Sequence, residues 1–322
     1  MTEKIAVTGG AGYIGALLCR ELIAAGYDVR ALDSLLHGQH EVADALEADG
    51  VEVIRGDLRD GAARERALTS ASVVVHLAAI VGDPACKRDP HESAAVNLEG
   101  TRALIDDCVR LGVSRAVFAS TCSNYGRMLD PAVPIDEDGE LRPVSLYAEQ
   151  KVAMERLLLE GVDGLAATCL RFATVYGVGP RMRFDLTVNE FTRDLWDGRD
   201  LEVFGEQFWR PYIHVADAGR AVRTVIDAPV ERVRGRVFNA GRSGENYRKL
   251  DLVDEIRKVC LRGSVSYVRR DEDPRDYKVG FDRIREELGF ETRRTVPDGI
   301  REIVAALDAG AFADSDAPRY RN

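Results

Sequence analysis

The sequence predicts an α/β protein built on a parallel sheet with helices on both faces. Three observations predict it. Short runs rich in Val, Ile and Ala recur through the first 120 residues, longer helix-like stretches separate them, and a glycine cluster sits where the first run meets the first helix. The 322 residues suffice for one large domain or two, and an apolar fraction of 45% is that of an ordinary globular chain.

Taken in order, the strands are expected at 4–8, 28–33, 51–55, 72–77 and 113–119, with helices at 13–25, 41–49, 61–70 and 91–111. Residues 127–143, with their acids and prolines, read as a loop. A helix follows at 144–160 and a strand at 165–172. Residues 173–210 are rich in Gly, Arg and Asp and carry a helix at 186–197. A strand-like run at 233–241, a helix at 249–261 and a last helix at 297–308 complete the pattern. The small polar tail from Gly310 is expected to fray. Neither a repeat nor a low-complexity linker interrupts the chain, so a smaller α/β substrate domain is expected to interleave with the sheet domain. The boundaries are 1–172 with a return segment at about 207–241 for the sheet domain, 173–206 and 242–316 for the second, and 317–322 for a tail.

The net charge is −10 and no long basic run exists, which argues against nucleic acid as a partner. The 38 Arg and 6 Lys still allow local anion sites, for which the guanidinium fork is suited. The six cysteines are scattered, without a C-x-x-C pair or metal-like spacing, so reduced thiols and no metal are expected. Residues 1–7 lead straight into a strand, and no apolar run of about 18 residues is present. A soluble, cytoplasmic protein is the expectation.

Residues 8–15, TGGAGYIG, follow the first strand and open the first helix. Gly10, Gly12 and Gly15 satisfy G-x-G-x-x-G. Glycine allows the tight turn and the approach of backbone to a pyrophosphate at the helix N-terminus. Asp33 ends the second strand, where a carboxylate accepts hydrogen bonds from ribose hydroxyls and repels a 2′-phosphate, so NAD is favoured over NADP. Contacts to it are expected from Gly9, Gly12, Tyr13, Ile14, Gly15 and Asp33. Asp57 and Leu58 after the third strand reach the adenine or merely start the next helix.

Residues 147–151 read YAEQK. In a helix, positions i and i+4 share a face, so Tyr147 and Lys151 stack. A tyrosine with a pKa of about 10 is a poor base. A nearby ammonium, together with a positive nicotinamide ring, would favour the phenolate, which could take a proton from a sugar or alcohol hydroxyl.

With these motifs stand HLAA (76–79), STCSNYG (120–126), RFATVYGVGP (171–180) and RPYIHVADAGRA (210–221). Together they resemble the extended short-chain dehydrogenase/reductase family, and within it the nucleotide-sugar epimerases and dehydratases. The resemblance implies a Rossmann-type fold, bound NAD touched also by Leu77, Ala78 and Ala79, and catalysis by Thr121, Tyr147 and Lys151. It also implies a homodimer through a four-helix bundle of the helices at 91–111 and 147–160. Family dehydratases carry Asp then Glu after the Thr; here stand Cys122 and Ser123, which fits the 4-epimerases better. Cys122 is open to two readings, an acid/base thiol or a small packed residue.

The same resemblance places the nucleotide-sugar diphosphate against Arg210 and against Arg270 or Arg275. Arg181 and Arg183 lie in the nucleotide-binding segment. Thr174 replaces an expected Asn, Asp83 is a candidate for the sugar pocket, and His76 and His214 are read as structural. The leading reading is an NAD-dependent nucleotide-sugar epimerase working through a 4-keto sugar. A dehydratase, a net oxidoreductase and a dinucleotide-sensing protein are the alternatives.

Overall fold

A computed structural model describes residues 3–128, 130, 133–260, 262–268 and 275–322. Among these, twelve strands form three sheets. They are β1 Lys4–Thr8, β2 Asp28–Asp33, β3 Glu52–Arg55, β4 Val73–His76, β5 Arg115–Thr121, β6 Ala166–Phe172, β7 Thr174–Tyr176, β8 Leu201–Phe204, β9 Trp209–His214, β10 Arg236–Ala240, β11 Asn246–Arg248 and β12 Val265–Val268. The large sheet runs β10-β6-β5-β4-β1-β2-β3, and all its pairs are parallel.

Period-2 alternation explains the layers. Ile5 and Val7 of β1, with Val73 and Val75 of β4, bury one face against Leu18, Leu22, Val222 and Val225. Ala6 and Val74 face the opposite way, towards Leu104, Phe118, Met154 and Leu158. Each such aliphatic side chain contributes about 1.5–3 kcal/mol when fully buried. Chain order reverses between β1 and β4, which leaves a crevice at the carboxyl ends of these two strands.

The smaller lobe holds the sheets β11-β9-β7 and β12-β8. Its own apolar cluster contains Tyr176, Phe184, Leu195, Val203, Leu252 and Ile300. The chain reaches it after β6, returns to the large sheet at β10, and goes back.

Two expectations need correction. The stretch 91–111 is not one helix. Helix Pro90–Ala94 passes into a π-turn, Ala95–Gly100, before helix Thr101–Leu111. The wider turn presents the Asn97 side chain to the loop after β4, where it accepts from Ile80 N at 2.8 Å and donates to Ile80 O at 3.0 Å. The described part of 127–143 is the expected loop, yet it does not hang free: Met128 N donates to Asp276 O at 2.8 Å and Ile135 N to Lys278 O at 2.9 Å. Nor does the tail fray. Phe312 and Tyr320 pack edge-to-face with each other and with Phe184, and Tyr320 is buried. The composition of 310–322 is polar, but its two aromatics cap an apolar cluster. The Gly- and Arg-rich stretch 173–210 hides β7, β8 and the start of β9, and β7 and β8 are too short for periodicity to find.

Candidate active site

The crevice is a cavity of about 480 Å³ between the two lobes. The glycine turn makes its floor. Gly9 has φ +73°, and a Cβ there would stand 2.8 Å from Ala78 N. A Cβ on Gly15 would collide with the Gly9 carbonyl. These two positions tolerate no side chain, so the backbone is held open at the start of helix Gly15–Ala24. Gly9, Gly12, Tyr13, Ile14 and Gly15 all line the cavity, as do Asp33, Asp57, Leu58, Leu77, Ala78 and Ala79. The donor set suits a dinucleotide: an open backbone cradle at one helix end and a carboxylate at the end of β2.

Asp33 accepts from Ala11 N at 3.0 Å and from Leu35 N at 2.9 Å, which aims the carboxylate along the turn. Burial pushes its pKa up, and the two amides and Arg181 oppose that. Asp57 is gripped by Arg59 (2.7 Å), which also pairs with Glu92. Arg59, two residues beyond Asp57, is a wall residue that periodicity alone does not single out.

His76 ends β4 between two threonines, with Nδ1 2.6 Å from Thr8 Oγ1 and Nε2 2.9 Å from Thr101 Oγ1. Its place is structural, as expected. Burial, with Lys151 adding to it, lowers its pKa to about 3. The unfolded chain therefore binds a proton between pH 6.5 and 3 that the folded chain refuses, so this stability is full above 6.5 and is lost as pH falls. Urea denaturation should show a loss on the order of 1 kcal/mol per pH unit in that window, and His76→Gln should flatten it. An unchanged slope in the variant would show that the loss lies elsewhere.

At the end of β5 the hydroxyls take separate tasks. Ser120 turns inward and donates to Glu155 Oε2 at 2.5 Å. Glu155 in turn holds Arg171 of β6 (Nη2–Oε1 2.5 Å), and both are buried. Arg171 also donates to Tyr125 Oη at 2.8 Å, and Tyr125 to Asn239 Oδ1 at 2.7 Å. This network lies under the strand end and clamps it from below. Thr121 lines the cavity, and its Oγ1 accepts from Ser123 N at 3.1 Å. Ser123 also lines the cavity and reaches Tyr277 Oη at 3.3 Å. Cys122 does not. It is 1% exposed and its Sγ donates to Arg171 O at 3.2 Å. Burial pushes the thiol well above its usual range. This burial favours the packed reading of the two: Cys122 begins the 3₁₀ turn Cys122–Tyr125 after β5, and its side chain goes to the core.

Helix Leu146–Glu160 is capped by Ser145, which accepts from Ala148 N at 3.3 Å. The cap puts Tyr147 and Lys151 on the cavity face. Lys151 Nζ donates to Ala119 O at 2.8 Å and stands 5.9 Å from the Tyr147 ring centre. Burial lowers Lys151 to about 8. Burial also raises Tyr147, with Cys86 and Asp83 adding to it and Arg183 opposing. The ammonium and a positive nicotinamide ring are together expected to favour the phenolate; within the chain alone, desolvation of Tyr147 works against it.

The remaining calls divide. Thr174 and Arg183 line the cavity, and Arg183 is paired with Asp185 at 2.6 Å. Arg210 is buried over the Tyr277 ring, 5.3 Å from its centre. Asp83 and Arg275 meet each other at 3.1 Å, tying the loop after β4 to the second lobe. Arg270 lies outside the described residues. Sequence reasoning missed Tyr277 and Asn322 as wall residues. No local motif marks either.

Residues 5–241 match the profile of the NAD dependent epimerase/dehydratase family. Over 97% of its length the chain is 30% identical to a UDP-glucose 4-epimerase of Corynebacterium glutamicum, of which it covers 96%. It is 32% identical to a dTDP-glucose 4,6-dehydratase of Streptomyces griseus, with 95% and 94% covered. The crystal structure of a Thermotoga maritima UDP-glucose 4-epimerase with UDP-glucose superposes with a TM-score of 0.86 at 27% identity, covering 96% of this chain and all of that one. With a glycine cradle, a carboxylate at the end of β2 and a Tyr–Lys pair around one cavity, the chain belongs to the NAD dependent epimerase/dehydratase family.

Proposed function

We propose that this protein epimerises a nucleoside-diphosphate sugar through a transient 4-keto sugar, with NAD retained throughout. The carrying observation is the set of carboxylates at the cavity. Among the described residues, those lining it are Asp33, Asp57 and Glu92. All three belong to the dinucleotide half, and the last two are held by Arg59. Removing water from the sugar needs an acid and a base beside the ketone. Cys122 faces the core, Ser123 is a hydroxyl, and Asp83 is engaged by Arg275. Epimerisation asks less of the protein.

Bound NAD would be held by the glycine cradle at Gly9–Gly15 and by Asp33, and would supply reversible hydride transfer at the sugar carbon. The chain does the rest. Tyr147 Oη exchanges the proton of the sugar hydroxyl. Lys151, fixed by the Ala119 carbonyl, supplies positive charge beside the phenol. Thr121 keeps its hydroxyl hydrogen for the sugar oxygen, because its lone pair already accepts from Ser123 N. The sheet domain (1–172 with 207–241) holds the cofactor in this proposal. The second lobe (173–206 with 242–316) holds the nucleotide sugar through Arg275, with Thr174 beside it, while Arg210 of the returning segment and Asp83 of the sheet domain reach it from the other side; the sequence resemblance offers Arg270 as the alternative to Arg275. A cytoplasmic homodimer through the helices at 101–111 and 146–160 is part of the same proposal, and Val109 on the first of them is exposed.

The test is mass spectrometry of the protein incubated with UDP-, GDP-, dTDP- and CDP-sugars in deuterated water, with nicotinamide absorbance followed. Unchanged mass, no deuterium and no net NADH are expected. Loss of one water would overturn the epimerase and move attention to Asp83. A mass gain that matches deuterium in place of hydrogen, with no other change, would mean inversion beside the ketone. Sustained NADH production would mean a dehydrogenase.

A further inference from the structure

The cavity has a wall that this chemistry does not use. Residues 312–322 fold back over the second lobe. They are held by the Phe184–Phe312–Tyr320 cluster, by Phe184 N donating to Tyr320 O at 2.9 Å, and by Arg199 pairing with Asp316 at 2.6 Å. This strap brings the Arg321 carbonyl and the Asn322 side chain to the cavity. Arg181 Nη2 donates to Arg321 O at 3.0 Å, and Asn322 N donates to Asp185 Oδ2 at 3.3 Å.

Arg181 lines the cavity, is 6% exposed, and its Nε has no hydrogen-bond partner. Asn322 Oδ1 is likewise buried and unpartnered, and Asn322 also lines the cavity. The nearest carboxylate on the same loop, Asp185, is taken by Arg183. A buried guanidinium without a carboxylate of its own is costly unless an anion joins it. Its position says which anion. The loop that carries it packs on the glycine turn: Tyr13 Oη donates to Gly177 O, and a Cβ on Gly179 would stand 3.0 Å from the Tyr13 ring.

We infer that Arg181, positioned by the strap at 318–322, binds the pyrophosphate–adenosine ribose half of the dinucleotide from the second lobe, so that cofactor is held between both lobes. The sequence puts Arg181 in the nucleotide-sugar segment; the geometry puts it on the cofactor side. A chain whose hydride acceptor must be the same molecule that returns it gains from such a latch. The inference rests on NAD as cofactor and is independent of which sugar reaction follows.

The experiment measures the dissociation rate of NAD from the full chain and, separately, the affinity for uridine diphosphate. Arg181→Gln is expected to release NAD about tenfold faster or more, as expected for one lost charge-assisted hydrogen bond, with uridine diphosphate affinity unchanged. Arg181→Lys should recover part of the retention, which a purely packing role would not produce. Tyr320→Ala, which unhooks the strap and leaves the sheet intact, should speed NAD release in the same direction and serves if Arg181→Gln does not fold. Unchanged NAD release in these variants would overturn the inference. So would weakened uridine diphosphate binding with NAD held as before.

Discussion

Tyr147→Phe is expected to lower kcat by about 10²–10⁴-fold, the usual worth of one positioned proton-transfer group, while NAD stays bound and the fold is unchanged. The phenol is half-buried at the cavity wall, and desolvation holds it in the protonated form until further positive charge arrives. Its ring can be replaced without a cavity, because Phe differs only by the hydroxyl. The loss should therefore appear in kcat and not in stability. Turnover of the nucleotide sugar identified in the panel, with NAD content read after denaturation, checks both. Activity within a few-fold of the parent would remove Tyr147 from the proton path.

The second large effect is on stability. Glu155→Ala strands the Arg171 guanidinium, 4% exposed, with its charge unmatched. Breaking a buried pair by removing one partner costs about 3–5 kcal/mol. Ser120 and Asn124 lose a partner in the same stroke. Replacing both charges, as Glu155→Leu with Arg171→Met, should be milder than the single change, because no ion is left behind. Urea denaturation of the three proteins decides it. A double variant weaker than the single one would mean the pair itself, and not the orphaned charge, sets the cost.

Legibility in the sequence followed the range of the interactions. β1, β2 and β6 stand within a residue of their expected limits because long apolar runs can be buried only in one way. The glycine turn was readable because its steric demand is local: Gly9 and Gly15 answer to backbone within a few residues or on the next strand. Lys151 and Tyr147 were readable because four residues on a helix is a fixed geometry. What stayed hidden depends on partners far along the chain. Cys122 and Ser123 are adjacent in sequence, yet Arg171 claims the first and Tyr277 faces the second. Asn322 reaches the cavity only because Phe184 gives Tyr320 a place to dock, a contact spanning the second lobe. The short strands β7, β8 and β11 carry three or four residues each, too few for a period to register.

The return of the chain to the large sheet has a consequence for how the protein folds. β6 pairs with β5 on one side and with β10 on the other, and the whole of β7 to β9 is made between β6 and β10. While that stretch leaves the ribosome, β6 stands as an open edge with its outer amides and carbonyls unpaired. Parallel pairing at such separation forms late and slowly. A chain stalled or cut before residue 236 would present a mostly apolar, uncovered strand to other chains, so aggregation during synthesis, and not loss of catalysis, is the failure that truncation brings first.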